Sequence, residues 1–146
     1  MAIKVTVWNE GVHDATNDRV KELYPKGMHG FIKDFLEKDE NIIVRTATLR
    51  GPDLLTDELL NDTDVLIWWG HLRHDAIPDE IAEKVKQRVL EGMGFIVLHA
   101  SRLSKPFKLL MGTSCRSKWR ENDEKDLAER GGDNGCGRVF LIGRSG

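Results

Sequence analysis

The stretch Asp64-Val65-Leu66-Ile67-Trp68-Trp69-Gly70-His71-Leu72-Arg73-His74-Asp75 is apolar from Val65 to Trp69, breaks at a glycine, and then sets out two histidines, an arginine and an aspartate. An unbroken apolar run of strand length, 64–69, fits a strand buried on both faces, as in a parallel sheet. Pro78 suits the first turn of a following helix, with Ile81, Val85 and Val89 as its apolar stripe and Gly92 at its end. An open α/β sheet carries its chemistry where such a strand stops and polar residues begin.

Working outward, the flanks repeat the pattern. Residues 2–8 read as a first strand, followed by the polar loop Asn9-Glu10-Gly11-Val12-His13. Residues 14–24 predict a short helix with Val20, Leu23 and Tyr24 on one face, stopped by Pro25. After Gly27, the residues Met28, Phe31, Ile32, Phe35 and Leu36 have the spacing of an amphipathic helix. Asn41–Leu49 predicts a second strand with Ile42, Ile43 and Val44 as its core, and Thr56–Asn61 a short helix capped by Thr56. Phe95–Leu98 predicts a fourth strand, and Leu103–Met111 a helix that tolerates Pro106 only near its start. Strands alternating with helices predict right-handed β-α-β units in a three-layer, flavodoxin-like parallel sheet.

Bulk properties bound the function. The 146 residues suffice for one domain. A composition of 40% hydrophobic and 32% charged residues reads as soluble. A formal charge of −2 gives no basic footprint for nucleic acid, and no apolar run approaches a membrane span. Met1 leads straight into a strand pattern without a secretory leader. Cys115 and Cys136 form neither a metal spacing nor a disulfide framework, so the expected compartment is the cytoplasm.

In a parallel sheet the strand C-termini share one edge. That edge receives Asn9, Glu10 and His13 from the first strand, His71, Arg73, His74 and Asp75 from the third, and His99 and Ser101 from the fourth. Of the five histidines only His29, near a helix start, is expected elsewhere. Three readings of this convergence stand open. The histidines are ordinary loop or core residues; they hold a metal; or they carry metal-free acid–base chemistry. For the metal reading, His71 and His74 with His99 or His13 supply nitrogens, and Glu10 or Asp75 a carboxylate. Ser101 follows Leu98-His99-Ala100, without the small residues a nucleophile elbow demands, so helix capping outranks a nucleophilic role. Trp68 reads as core. Trp69, at the strand end, could line a pocket or be structural. The Lys118-Trp119-Arg120 patch is uninformative by itself.

The chain resembles the ThuA-like (trehalose utilisation) family of the class I glutamine amidotransferase-like superfamily. The resemblance is carried by Val5-Thr6-Val7-Trp8-Asn9-Glu10 with His13, by Tyr24-Pro25-Lys26-Gly27-Met28-His29-Gly30, by Val44 to Leu49, and by Asp64 to Asp75. Further matches run from Arg88 to Gly94, through Val97-Leu98-His99, and from Leu110 to Cys115 with Lys118-Trp119-Arg120. It implies a flavodoxin-like sheet and a role in bacterial sugar catabolism, on trehalose or a related disaccharide, including keto-sugars. It does not imply glutamine hydrolysis, because the elbow reads His99-Ala100-Ser101 and has no cysteine.

The resulting expectation places His71, His74, His99 and Glu10 as catalytic groups around a sugar. Asn9, His13, Trp69, Arg73 and Ser101 are expected to bind it. His71 and His99 are the expected ligands if a divalent metal such as zinc is the cofactor. The expected partner is a small-molecule sugar, with a homo-oligomer left open, and neither nucleic acid nor membrane. Two other readings stay open: a non-catalytic sugar-binding or assembly module, and a serine hydrolase using Ser101. Residues 1–125 are expected to form the N-terminal part of the family domain. Residues 126–146, rich in glycine with an apolar run from Val139 to Ile142, are expected as a weakly ordered tail or one edge strand. Because family members are much longer, a truncated or frameshifted copy is also expected.

Overall fold

A computed structural model describes residues 1–50 and 54–116 and the backbone of 139–142. Four strands run parallel: β1 (Ile3–Asn9), β2 (Ile42–Thr48), β3 (Val65–Trp69) and β4 (Gly94–Leu98). A fifth, β5 (Val139–Ile142), pairs antiparallel with β4, and the sheet order is β2-β1-β3-β4-β5. The apolar run 139–142 is thus an edge strand. The rest of the expected tail, with Cys136 and Trp119, lies outside the described residues.

Alternation along the strands sends side chains to two helical layers. On one face Trp8, Leu66, Trp68, Phe95 and Val97 pack with Leu60 of α4 (Asp57–Asn61), with Ala82, Val85 and Val89 of α5 (Asp79–Leu90), and with Phe107 of α6 (Lys105–Met111). Trp8 and Trp68 stack there with ring centroids 3.9 Å apart, and Phe95 meets Trp68 edge-on. On the other face Val5, Val7, Val44 and Ile67 pack with Ile32 and Leu36 of α3 (Gly27–Leu36). This is the three-layer α/β arrangement read from the sequence. Among the described residues, no helix is long and apolar enough to cross a membrane.

Local chemistry moves several expected boundaries. The helix expected over 14–24 is two helices, α1 (Val12–Thr16) and α2 (Asp18–Leu23). Between them Asn17 is extended, and its side chain accepts a hydrogen bond from the Val20 amide, so capping wins over continuation. Neither helix buries a residue, and Leu23 is exposed rather than packed. On α3 the apolar stripe is wider than the sheet it covers. Ile32 and Leu36 face the core, while Phe31 and Phe35 are 58% and 63% exposed. Ile43, expected in the core, is half exposed because it alternates away from Ile42 and Val44. The segment expected as one helix from Leu103 starts instead as a 3-10 stretch, His99–Leu103, and α6 begins at Lys105 with Pro106 in its first turn. The side chain of Thr56 does cap α4, accepting from the Leu59 amide.

Candidate functional site

The strand order reverses between β1 and β3, since β1 leads outward to β2 while β3 leads the other way to β4. At that switch point the ends of two adjacent parallel strands diverge and leave a crevice. Asn9 and Trp69 end the two strands opposite one another, and the Glu10 amide donates to the Trp69 carbonyl at 3.1 Å.

Two clusters grow from this pair. In the first, Trp69, His71 and His13 form a ladder of near-parallel rings. His71 lies 5.0 Å from His13 and 6.5 Å from Trp69, centroid to centroid, with planes 23° and 6° apart. His71 is exposed, and Trp69 and His13 are half-buried, so the ladder reaches solvent. Beneath it Glu10, 4% exposed, holds the loop after β3. Its Oε1 accepts from the Leu72 amide at 2.6 Å and its Oε2 from the Arg73 amide at 3.0 Å. The Arg73 side chain turns outward and pairs with Asp75 at 3.3 Å.

His74 begins a 3-10 turn (His74–Ala76) that folds back beside Gly70. A side chain added at Gly70 would meet Glu10 Oε2 at 3.1 Å and His74 Nδ1 at 3.5 Å, which fixes how closely these groups crowd. Both ring nitrogens of His74 are buried without a hydrogen-bond partner. Burial pushes its pKa down; the Glu10 carboxylate opposes that shift, while Lys108, His71 and Arg102 reinforce it.

The second cluster was not expected. Asn9 is 1% exposed, and its Oδ1 accepts from the Gly11 amide at 2.9 Å, which fixes the orientation of the side-chain amide. Its Nδ2 then bonds both Asp14 Oδ2 and, at 2.9 Å, His29 Nδ1. Gly27, with φ +71°, makes room: a Cβ there would lie 2.7 Å from His29 Cε1 and 3.2 Å from Asp14 Oδ2. His29, expected elsewhere, therefore belongs to the strand-end group. The available signal was topological: α3 packs on β1 and β2 and starts near their C-terminal edge, so its first turn returns there.

Two expected site residues are placed differently. Ser101 is fully buried, and its hydroxyl accepts from the Gly70 amide at 2.7 Å and donates to the Gly70 carbonyl at 3.1 Å. It ties the β4 elbow to the end of β3 and leaves no exposed hydroxyl for nucleophilic attack. His99 stands exposed one strand along with φ +40°, a left-handed conformation that marks the sharp turn out of β4. The strained elbow position is thus His99 and not Ser101.

The expected metal set does not come together. Among the described residues, no three His, Cys, Asp or Glu side chains stand where they could hold a metal ion. Stacked face to face, His13 and His71 run their in-plane lone pairs alongside one another rather than toward a common point. A cavity of about 610 Å3 lies apart from all these residues, between α5 and α6, lined by Asp79, Ala82, Lys105 and Lys108 among others.

The family model described as ThuA, trehalose utilisation, matches residues 4–133, running past the expected boundary at 125 and spanning both clusters. The chain belongs to the ThuA family. No curated protein matches it. ThuA membership places the strand-end residues in a domain tied to trehalose utilisation. Within this ThuA domain, the first cluster offers flat ring faces and the second a charged and polar cradle.

Proposed function

We propose that this ThuA-family domain binds a disaccharide, trehalose or a related or oxidised (keto) form, at the β1/β3 switch point. The observation that carries the reading is the ladder Trp69–His71–His13. Sugar rings present apolar C–H faces with hydroxyls at the rim, and such a face packs on an aromatic plane while the hydroxyls seek polar partners. Arg73 and the ring nitrogens of His71 and His13 supply those partners. For processing a keto-sugar, the reading assigns acid–base duty to His71 and His99, which are exposed. Glu10 positions the loop that carries His71 and Arg73.

A second reading, binding without turnover, is favoured by one specific observation. Glu10 and Ser101, two groups expected to meet substrate, have their oxygens engaged by backbone groups. Calorimetric titration with trehalose and with a keto-disaccharide tests the shared part. Trp69→Ala is expected to weaken binding by about tenfold. No heat with either sugar would overturn the site. Turnover assays on His71→Ala and His99→Ala then separate the two readings, since an enzyme loses rate in both and a binding module has none to lose.

A further inference from the structure

We propose that the cavity between α5 and α6 binds a small organic anion, a hydroxylated carboxylate or phosphate monoester, with Lys108 as its counter-charge. The proposal stands apart from the sugar reading above, because none of the strand-end residues lines this cavity.

The charges on the walls carry the argument. Asp79 and Glu83 both line the cavity, and each already has a cation. Asp79 Oδ1 accepts from the Lys105 ammonium at 2.6 Å, and the same ammonium donates to the Ile77 carbonyl at 2.7 Å. Glu83 Oε2 accepts from Lys86 at 3.1 Å. Lys108 lines the same cavity and is half-buried, yet its ammonium has no hydrogen bond or ion pair among the described residues. A half-buried ammonium has lost part of its hydration, and here no carboxylate compensates it. Its positive field extends to His74, whose pKa is held down first by burial and then, against Glu10, by Lys108, His71 and Arg102. The cavity is therefore one negative charge short.

Size and lining set the rest of the ligand. A volume of about 610 Å3 is far more than one inorganic oxyanion fills, and it lies within the range of small-molecule sites. Ala82 and Leu109 supply apolar wall, and the turn after α6 brings the Thr113 and Ser114 hydroxyls to the cavity. A neutral sugar would leave Lys108 uncompensated. A polyanion such as a nucleotide would set its further charges against Asp79 and Glu83. A single acidic group on a small hydroxylated carbon frame meets all three features of the wall.

The test is calorimetric titration of the full chain, at low ionic strength, with gluconate, glucose-6-phosphate, inorganic phosphate and neutral glucose. Wild type and Lys108→Gln are compared, since the substitution keeps most of the stem and removes the charge. The two organic anions are expected to bind the wild type in the millimolar range, more tightly than inorganic phosphate. Glucose is expected to give no heat. Lys108→Gln is expected to weaken anion binding by about tenfold. Binding by one organic anion alone sustains the proposal and tells carboxylate from phosphate ester. No binding of either, equal binding to the variant, or glucose binding as tightly as the anions would overturn it. Inorganic phosphate binding as tightly as glucose-6-phosphate would overturn the organic part. Urea denaturation supplies a second readout that does not depend on the ligand. The midpoint of Lys108→Gln is expected to equal or exceed that of the wild type, because a half-buried unpaired charge is removed. A clear drop would show that Lys108 already has a stabilising partner, and the premise would fall.

Discussion

Ser101 holds Gly70 twice, accepting from its amide at 2.7 Å and donating to its carbonyl at 3.1 Å. Both residues are buried, and Gly70 is the point at which β3 opens into the histidine loop. Ser101→Ala strands both backbone groups of Gly70 away from water. Urea denaturation is expected to show a loss of about 1–3 kcal/mol. A serine-reactive fluorophosphonate is expected to leave the wild-type chain unlabelled; labelling at Ser101 would restore the hydrolase reading.

Glu10 does for the loop after β3 what Ser101 does for its start. Glu10→Gln replaces one accepting oxygen with an NH2 group that faces a backbone N–H. A loss of about 1–3 kcal/mol is expected, with faster hydrogen exchange at the Leu72 and Arg73 amides. Unchanged exchange at those two amides would show that the carboxylate does not hold the loop.

His74 makes stability depend on pH in a stated direction. Burial lowers its pKa in the folded chain, against the opposing pull of Glu10, whereas unfolded it titrates near 6.5. Below that pH the unfolded chain takes up a proton that the folded chain does not, so its contribution is complete above 6.5 and is lost as the pH falls through the interval beneath it. The urea midpoint of the wild type is expected to drop more between about pH 7.5 and 5.5 than that of His74→Asn. Parallel curves would remove His74 as the source.

Two glycines with nearly the same φ separate strain from crowding. Gly11 has φ +68° with open space at its Cα, and Gly27 has φ +71° with His29 and Asp14 in the way. Alanine at either is expected to cost about 1–2 kcal/mol for the left-handed backbone. Gly27→Ala is expected to cost about 1–3 kcal/mol more. Equal losses would mean the cluster yields easily.

The sheet and its functional edge were legible in the sequence for a physical reason. Strands buried on both faces must be apolar throughout, and Val65–Trp69 then gives way abruptly to His71, Arg73 and His74. The use of each polar residue was less legible. The sequence shows that Glu10 and Ser101 bring oxygens to the edge, but not that backbone amides claim them, because those donors belong to a loop far along the chain. His29 was misplaced because helical spacing says nothing of where α3 begins, whereas its first turn lies at the strand ends beside Asn9. Helical spacing marked Phe31 and Phe35 as buried, yet spacing reports only which residues share a face, not how much of it the sheet covers. Nothing at His99 announces a left-handed turn, since the signal usually read for one is glycine.

Helix α1 buries none of its five residues and so adds almost nothing to the core. Its place is set by what His13 and Asp14 touch, one on the histidine loop and one on Asn9. An element held through two such contacts is thermodynamically common to both. Whatever orders one contact has already met part of the entropic cost of ordering the other. Loosening either contact, at His13 or at Asp14, should therefore loosen the other, so α1 ties the two halves of the edge together.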